Sequence, residues 1–246
     1  MKGSTLLLAC LLALLSAIGI AEFYRMALPE RKPELWLASL AGSSLVFIPL
    51  AGNDKLVLSG IGLLFLTFSL IFLFRIRTIE TAASEVSFAV LAFIYVPFML
   101  MHIVLLRQTP YGIQWLFVIM LIVMTNDSTA YYTGSAFGKH RLYPLVSPKK
   151  SIEGAVGGLV GSLVGALSAK FIFFPQLSFC DVVVTALVVG AIGQAGDLFE
   201  SLLKRSFGVK DSGTIIPGHG GVLDRLDSIL FAAPITYYYV LFFFRG

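Results

Sequence analysis

Apolar residues in this chain come in runs longer than a core strand or a surface helix needs, and polar residues collect in the gaps between them. Eight runs stand out, at residues 5–21, 35–51, 56–74, 86–106, 112–134, 152–174, 180–200 and 227–244. Most approach the ~20 residues an α-helix needs to cross a bilayer. Lipid offers backbone groups no partners, so a run of that kind is stable only as a helix that bonds itself. The pattern predicts an all-α, polytopic integral membrane protein with about eight transmembrane helices. Residues 1–108 read as an N-terminal scaffold of such helices, since their polar content is sparse and unclustered. Residues 109–246 form a C-terminal region in which charge gathers, above all in the stretch 201–227 between the last two runs.

Composition sharpens this picture. Of 246 residues, 57% are hydrophobic and 13% charged, and the mean hydropathy of +0.89 excludes an ordinary soluble domain. The net charge of +4 gives no argument for nucleic acid, because inner loops of membrane proteins gather Lys and Arg. Thirteen of the 18 basic residues fall in the loops after the first, third, fifth and seventh runs. That bias places these loops in the cytoplasm and both termini outside it. The first run follows Lys2 and ends at Gly19-Ile20-Ala21, which also fits a cleaved signal peptide. Cleavage, however, would carry the two most basic loops to the outer side, against the charge bias. Cys10 and Cys180 have no metal-ligand spacing and indicate neither zinc nor a disulfide framework. His102, alone among Met99, Leu100, Met101 and Ile103, reads as a structural histidine.

The stretch 201–227 reads SLLKRSFGVKDSGTIIPGHGGVLDRLD. Gly208, Gly213, Gly218, Gly220 and Gly221 permit backbone N–H groups to turn toward an anion. Lys204, Arg205, Lys210 and Arg225 supply positive charge, and Asp211, Asp224 and Asp227 are oxygen donors of the kind a hard cation takes. Upstream, Asp197, Glu200, Ser201 and Lys204 recur at i, i+3, i+4 and i+7 and so share one helix face. Asp224 and Asp227 are likewise three apart. The loop between these helices is expected to close over the carboxylates.

The order Ser-x-x-Lys-Arg (Ser201, Lys204, Arg205), then Lys-Asp-Ser-Gly (210–213), then Pro-Gly-His-Gly-Gly-x-x-Asp-Arg-x-Asp (217–227), resembles the signature of the phosphatidate cytidylyltransferase family. A second block resembles the same family: Asn126-Asp127, Phe137-Gly138-Lys139-His140, Ser147-Pro148-Lys149-Lys150-Ser151 and Glu153-Gly154. One departure is visible there, Ser128-Thr129-Ala130 standing where the family has Thr-Gly-Ala. The likeness covers about residues 110–230. It implies an enzyme that joins CTP to phosphatidic acid with Mg²⁺, one ion or a pair, releasing pyrophosphate; separately, the compact length and single basic inner face lead to the expectation of a bacterial plasma membrane with the active site facing the cytoplasm.

With the resemblance in hand, roles can be assigned as expectations. Asp197, Asp224 and Asp227 hold the metal, with Asp127 and Glu200 as further candidate ligands. Lys204, Arg205, Lys210, Asp211, His219 and Arg225 form the catalytic group, contacting phosphates of nucleotide or lipid. Asn126, Asp127, Lys149, Lys150, Ser201, Gly220 and Gly221 bind substrate. The two lysines precede a helix start, which favours phosphate, although inner-face lysines also serve topology or lipid headgroups. Gly157, Gly161 and Gly165 form a small-residue face that, with the resemblance, makes a homodimer an expectation; membrane lipid is the other expected partner. Two alternatives remain: a CTP-dependent polyprenol- or phytol-type lipid kinase, which transfers the γ-phosphoryl group, and a transporter, which would place ionisable residues in both halves at mid-bilayer. A CDP-alcohol phosphotransferase is disfavoured by the absence of D-G-x-x-A-R.

Overall fold

The fold is that of a computed structural model, which describes residues 2–52, 54–75, 78–215, 218 and 220–246. Among the described residues nine α-helices carry it: α1 (Lys2–Ala27), α2 (Lys32–Ser44), α3 (Asp54–Phe74), α4 (Ile79–Phe93), α5 (Met99–Gln108), α6 (Gly112–Phe137), α7 (Ile152–Ile172), α8 (Phe179–Ser206) and α9 (Leu223–Phe242). A 3₁₀ segment, Leu45–Ala51, continues α2, and a π-helical turn, Ile94–Phe98, joins α4 to α5. Pro97 lies inside that wide turn, where its missing N–H and its ring displace the ordinary ladder. Two short strands, β1 (Arg141–Tyr143) and β2 (Ser147–Ser151), pair antiparallel, a departure from helix that the hydrophobic pattern did not predict.

Among the described residues, seven helical spans are long and apolar enough to cross a membrane, with α4, the π turn and α5 counting as one span, Ile79–Gln108. The eighth expected run corresponds to α9, whose opening charges, Arg225 and Asp227, and later Tyr237, Tyr238 and Tyr239 dilute its apolarity. On α3, Leu56, Leu58, Leu63, Phe65, Leu66, Leu70, Leu73 and Phe74 are exposed, as expected of side chains that face lipid.

The chain forms two compact units. The first comprises Met1–Leu105 with Asp211–Asp224, so the central part of the signature stretch packs with the N-terminal helices. Its core includes Ile20, Phe23 and Tyr24 of α1 and Tyr95, Val96, Leu100 and Met101. Gly19 lets α1 approach Val96 and Leu223, which a Cβ there would meet at 2.9 and 3.1 Å. Arg31 is buried. Its guanidinium bonds Glu85 and the Arg75 carbonyl, and it stands 3.4 Å from Glu34 and 5.1 Å from the centre of the Phe72 ring. His102 stands with Nδ1 2.8 Å from the Phe98 carbonyl, the structural place expected of it.

The second unit comprises Leu106–Lys210 and Arg225–Gly246. Trp115, Ile119, Ile122, Val123, Ala166, Phe174, Ala186, Val189 and Ala232 lie in its core. The glycine face of α7 is used inside the chain. Cβ atoms at Gly157, Gly161 and Gly165 would overlap Thr133, Thr129 and Thr125 of α6, so these glycines permit close approach of two neighbouring helices and give no argument for a dimer. Ser178 caps α8 in a reciprocal capping box with Asp181.

Candidate active site

Glycines at helix crossings assemble the polar cluster of the second unit. A Cβ at Gly196 of α8 would stand 2.6 Å from the Asp227 carbonyl oxygen and 3.0 Å from Phe231 Cβ. Only glycine lets α9 lie that close, and the next residue on α8 is Asp197. Gly158 and Gly190 play the same part around Asn126, where a Cβ would press on its amide, on Gln194 or on Ser162. Asn126 is buried, donating to Ser162 Oγ at 2.7 Å and accepting from Gln194 Nε2 at 2.9 Å. Both ends of the amide that sequence assigned to substrate are thus engaged by protein, in a network that ties α6 to α7 and α8. Asp127, the next residue, is exposed.

Three carboxylates gather there. Asp197 acts electrostatically on both Asp127 and Asp227, which also act on each other. Lys150 lies among them, its Nζ 2.6 Å from Asp197 Oδ2, and Arg225 acts on Asp127. Like charges this close raise each other's energy unless cations are shared, so the cluster is built to hold positive charge. Among the described residues, no three acidic, histidine or cysteine side chains already converge as a metal site. The donor chemistry nevertheless fits a hard divalent ion, which takes carboxylate oxygens.

Lys150 is placed by the hairpin. Ser151 closes β2, caps α7 by accepting from Gly154 N at 3.1 Å, and is buried. Glu153 accepts from the backbone N–H groups of Lys139 and His140, at 3.1 and 3.2 Å, and stands 2.7 Å from His140 Nδ1. Lys149 is exposed, and its carbonyl accepts from Arg141. On α8, Lys204 pairs with the buried Glu200 at 3.0 Å, one turn apart as the spacing predicted. Ser201 is half-buried, Arg205 bonds the Val209 carbonyl at 3.2 Å, and Lys210 is exposed.

The loop in the first unit turns its donors inward. Asp224 Oδ2 accepts from Ser212 N at 2.9 Å and Gly221 N at 2.7 Å, and stands 2.9 Å from Ser212 Oγ. Its carboxylate therefore orders the loop, whereas Asp127, Asp197 and Asp227 group together. Gly220 has φ +83°, and a Cβ there would overlap Asp224 Oδ2. Asp211 is exposed. His219 and Pro217 lie outside the described residues.

Sequence reading missed Glu22, Ser162 and Gln194. Glu22, on α1 and fully buried, accepts from Val222 N and Leu223 N, both at 2.9 Å, and stands 3.2 Å from Ser212 Oγ. A lone acid inside an apolar helix was its signal. Its loop partners are some 200 positions away in the chain, so no spacing rule could connect them.

A profile described as the cytidylyltransferase family matches residues 1–243. A phosphatidate cytidylyltransferase of Bacillus subtilis strain 168 is 36% identical over 160 residues, covering 65% of this chain and 60% of that protein. Those of Staphylococcus haemolyticus and Staphylococcus saprophyticus are each 34% identical over 96% of this chain, covering 89% and 90% of theirs.

Proposed function

The chain belongs to the cytidylyltransferase family, and from that premise we propose how its residues make CDP-diacylglycerol from CTP and phosphatidic acid. A non-bridging oxygen of the lipid phosphate forms a bond to the α-phosphorus of CTP. The bond from that phosphorus to the bridging oxygen of the β-phosphate breaks, and its electron pair leaves with pyrophosphate. The nucleophile is already anionic near neutral pH, so no strong general base is required. Alignment and charge neutralisation are the protein's task.

The observation that carries this reading is the grouping of Asp127, Asp197 and Asp227 with Lys150 and Arg225. Mg²⁺ held by these carboxylates would supply positive charge to the phosphate oxygens of CTP and of the leaving pyrophosphate. Lys150 and Arg225 add fixed positive charge beside them, and Lys204 is held ready by Glu200. The asparagine network beneath keeps α6, α7 and α8 in register, so the carboxylates stay in place without substrate.

The chain is a membrane protein, and the basic bias of its loops supports an orientation that puts this cluster at the cytoplasmic face. That setting suits one soluble and one lipid substrate. The test is lipid labelling from α-labelled CTP by purified protein in mixed micelles, comparing the parent chain with Asp227→Asn. The parent is expected to label lipid in the presence of Mg²⁺ and the variant to lose about 100-fold or more, the scale of losing one electrostatic contact to a phosphoryl transition state. Equal activity in the variant would remove Asp227 from the site.

A further inference from the structure

Every described backbone N–H of the signature loop that is seen to bond a side chain, from Ser212, Gly221, Val222 and Leu223, points to a carboxylate of the protein itself. Two of the four reach Glu22, and the Ser212 hydroxyl lies between Glu22 and Asp224, 3.2 and 2.9 Å from their oxygens. The loop's glycines fit that anion. A Cβ at Gly213 would stand 2.6 Å from Glu22 Oε1, and one at Gly221 would stand 2.6 Å from both Glu22 oxygens. A glycine-rich turn that reads as a cradle for a substrate phosphate thus closes here around a buried side chain of the first helix.

We propose that Glu22 is a positioning residue of the transferase, an internal anion that fixes the signature loop and the start of α9. Resting on the transfer reading above, the inference concerns how the chain sets its own site and leaves the reaction unchanged. Three features argue for it. Glu22 is fully buried in a membrane-spanning helix, a place where a carboxylate is retained only with strong partners. Its partners are the N–H groups at the beginning of α9, where free donors and the helix dipole favour negative charge. Leu223, whose N–H it accepts, is followed within the next turn of the same helix by Arg225 and Asp227. Freeing Val222 and Leu223 lets this turn fray, and the two charged side chains lose their fixed direction. Such a loss falls on alignment in the transition state more than on ground-state binding, so kcat drops and KM does not follow.

The test uses the full chain in detergent, with Cys10→Ser and Cys180→Ser and a reporter Thr214→Cys at an exposed loop position. Glu22→Gln keeps the shape but turns an N–H₂ group toward backbone donors. It is expected to lower kcat about 30-fold, equivalent to about 2 kcal/mol at 1.36 kcal/mol per decade. KM for CTP should stay within about threefold, and the reporter should react with a water-soluble maleimide about tenfold faster. Gly213→Ala presses on the same carboxylate from the loop side and should show both effects, so it decides the matter if Glu22→Gln does not fold. Near-parental kcat overturns the proposal, and so does lost activity with unchanged labelling. A parent chain that transfers nothing to lipid refutes the transfer reading and, with it, the positioning role of Glu22 in the transfer. The labelling rates then still decide whether Glu22 holds the loop.

Discussion

Replacing Asn126 with alanine separates a helix-tying amide from a substrate contact. The change removes the bond donated to Ser162 Oγ at 2.7 Å and the one accepted from Gln194 Nε2 at 2.9 Å. Neither partner is orphaned: Ser162 Oγ also donates to the Gly158 carbonyl at 3.2 Å, and Gln194 Nε2 to the Ala155 carbonyl at 3.0 Å. The full penalty of a stranded polar group therefore does not apply. Hydrogen bonds between membrane helices average about 0.6 kcal/mol, so the two account for about 1.2 kcal/mol. Removing Cγ, Oδ1 and Nδ2 from a buried position leaves a void that adds about 1 kcal/mol. The sum, about 2 kcal/mol, corresponds to a fall in Tm of about 4–8 °C for a chain of this length. Thermal unfolding of the detergent-solubilised protein reads the first quantity, and KM for CTP, measured well below the transition, should stay within about twofold. An unchanged Tm with KM raised about tenfold would refute the reasoning and place the amide on the nucleotide.

Lys150→Ala takes the ammonium from between Asp197 and its neighbouring carboxylates, and kcat/KM for CTP should fall about 100-fold; unchanged kinetics would make Lys150 a topological lysine only. Gly196→Ala forces α9 away from α8 where their backbones touch, and should lower turnover at least about tenfold through misplacement of Asp227, with parental activity as the contrary result. Chelation with EDTA should abolish lipid labelling and added Mg²⁺ should restore it; labelling that survives chelation would refute the metal role of the carboxylates. The Thr214→Cys reporter, exposed where Ser212 is buried, should label from the cytoplasmic side of sealed vesicles, and outside labelling would invert the topology.

Much of this was legible in sequence because lipid imposes a strict rule. Long apolar runs must be helices, so α3 and α7 appear near the expected bounds. Where a polar residue ended a run, the reading failed in an informative way. Residues 5–21 were expected to stop before Glu22, yet α1 continues to Ala27 because Glu22 finds its partners inside the protein. The hairpin before α7 is too short for a hydrophobic period to reveal. Periodicity placed Glu200 and Lys204 together, since that pairing is local. It could not tell that Asp224 would order a loop while Asp227, one turn on, joins Asp127 and Asp197. That division depends on which donors the loop brings back, a matter of tertiary contact alone.

The most direct measurement is a transfer assay with CTP labelled separately at the α- and γ-phosphates, given with phosphatidic acid and Mg²⁺ to the purified chain in mixed micelles. Cytidylyl transfer predicts α label in the lipid product and γ label in pyrophosphate. A γ label in lipid, with CDP released, would make the protein a lipid kinase, and label in no lipid would contradict transfer altogether.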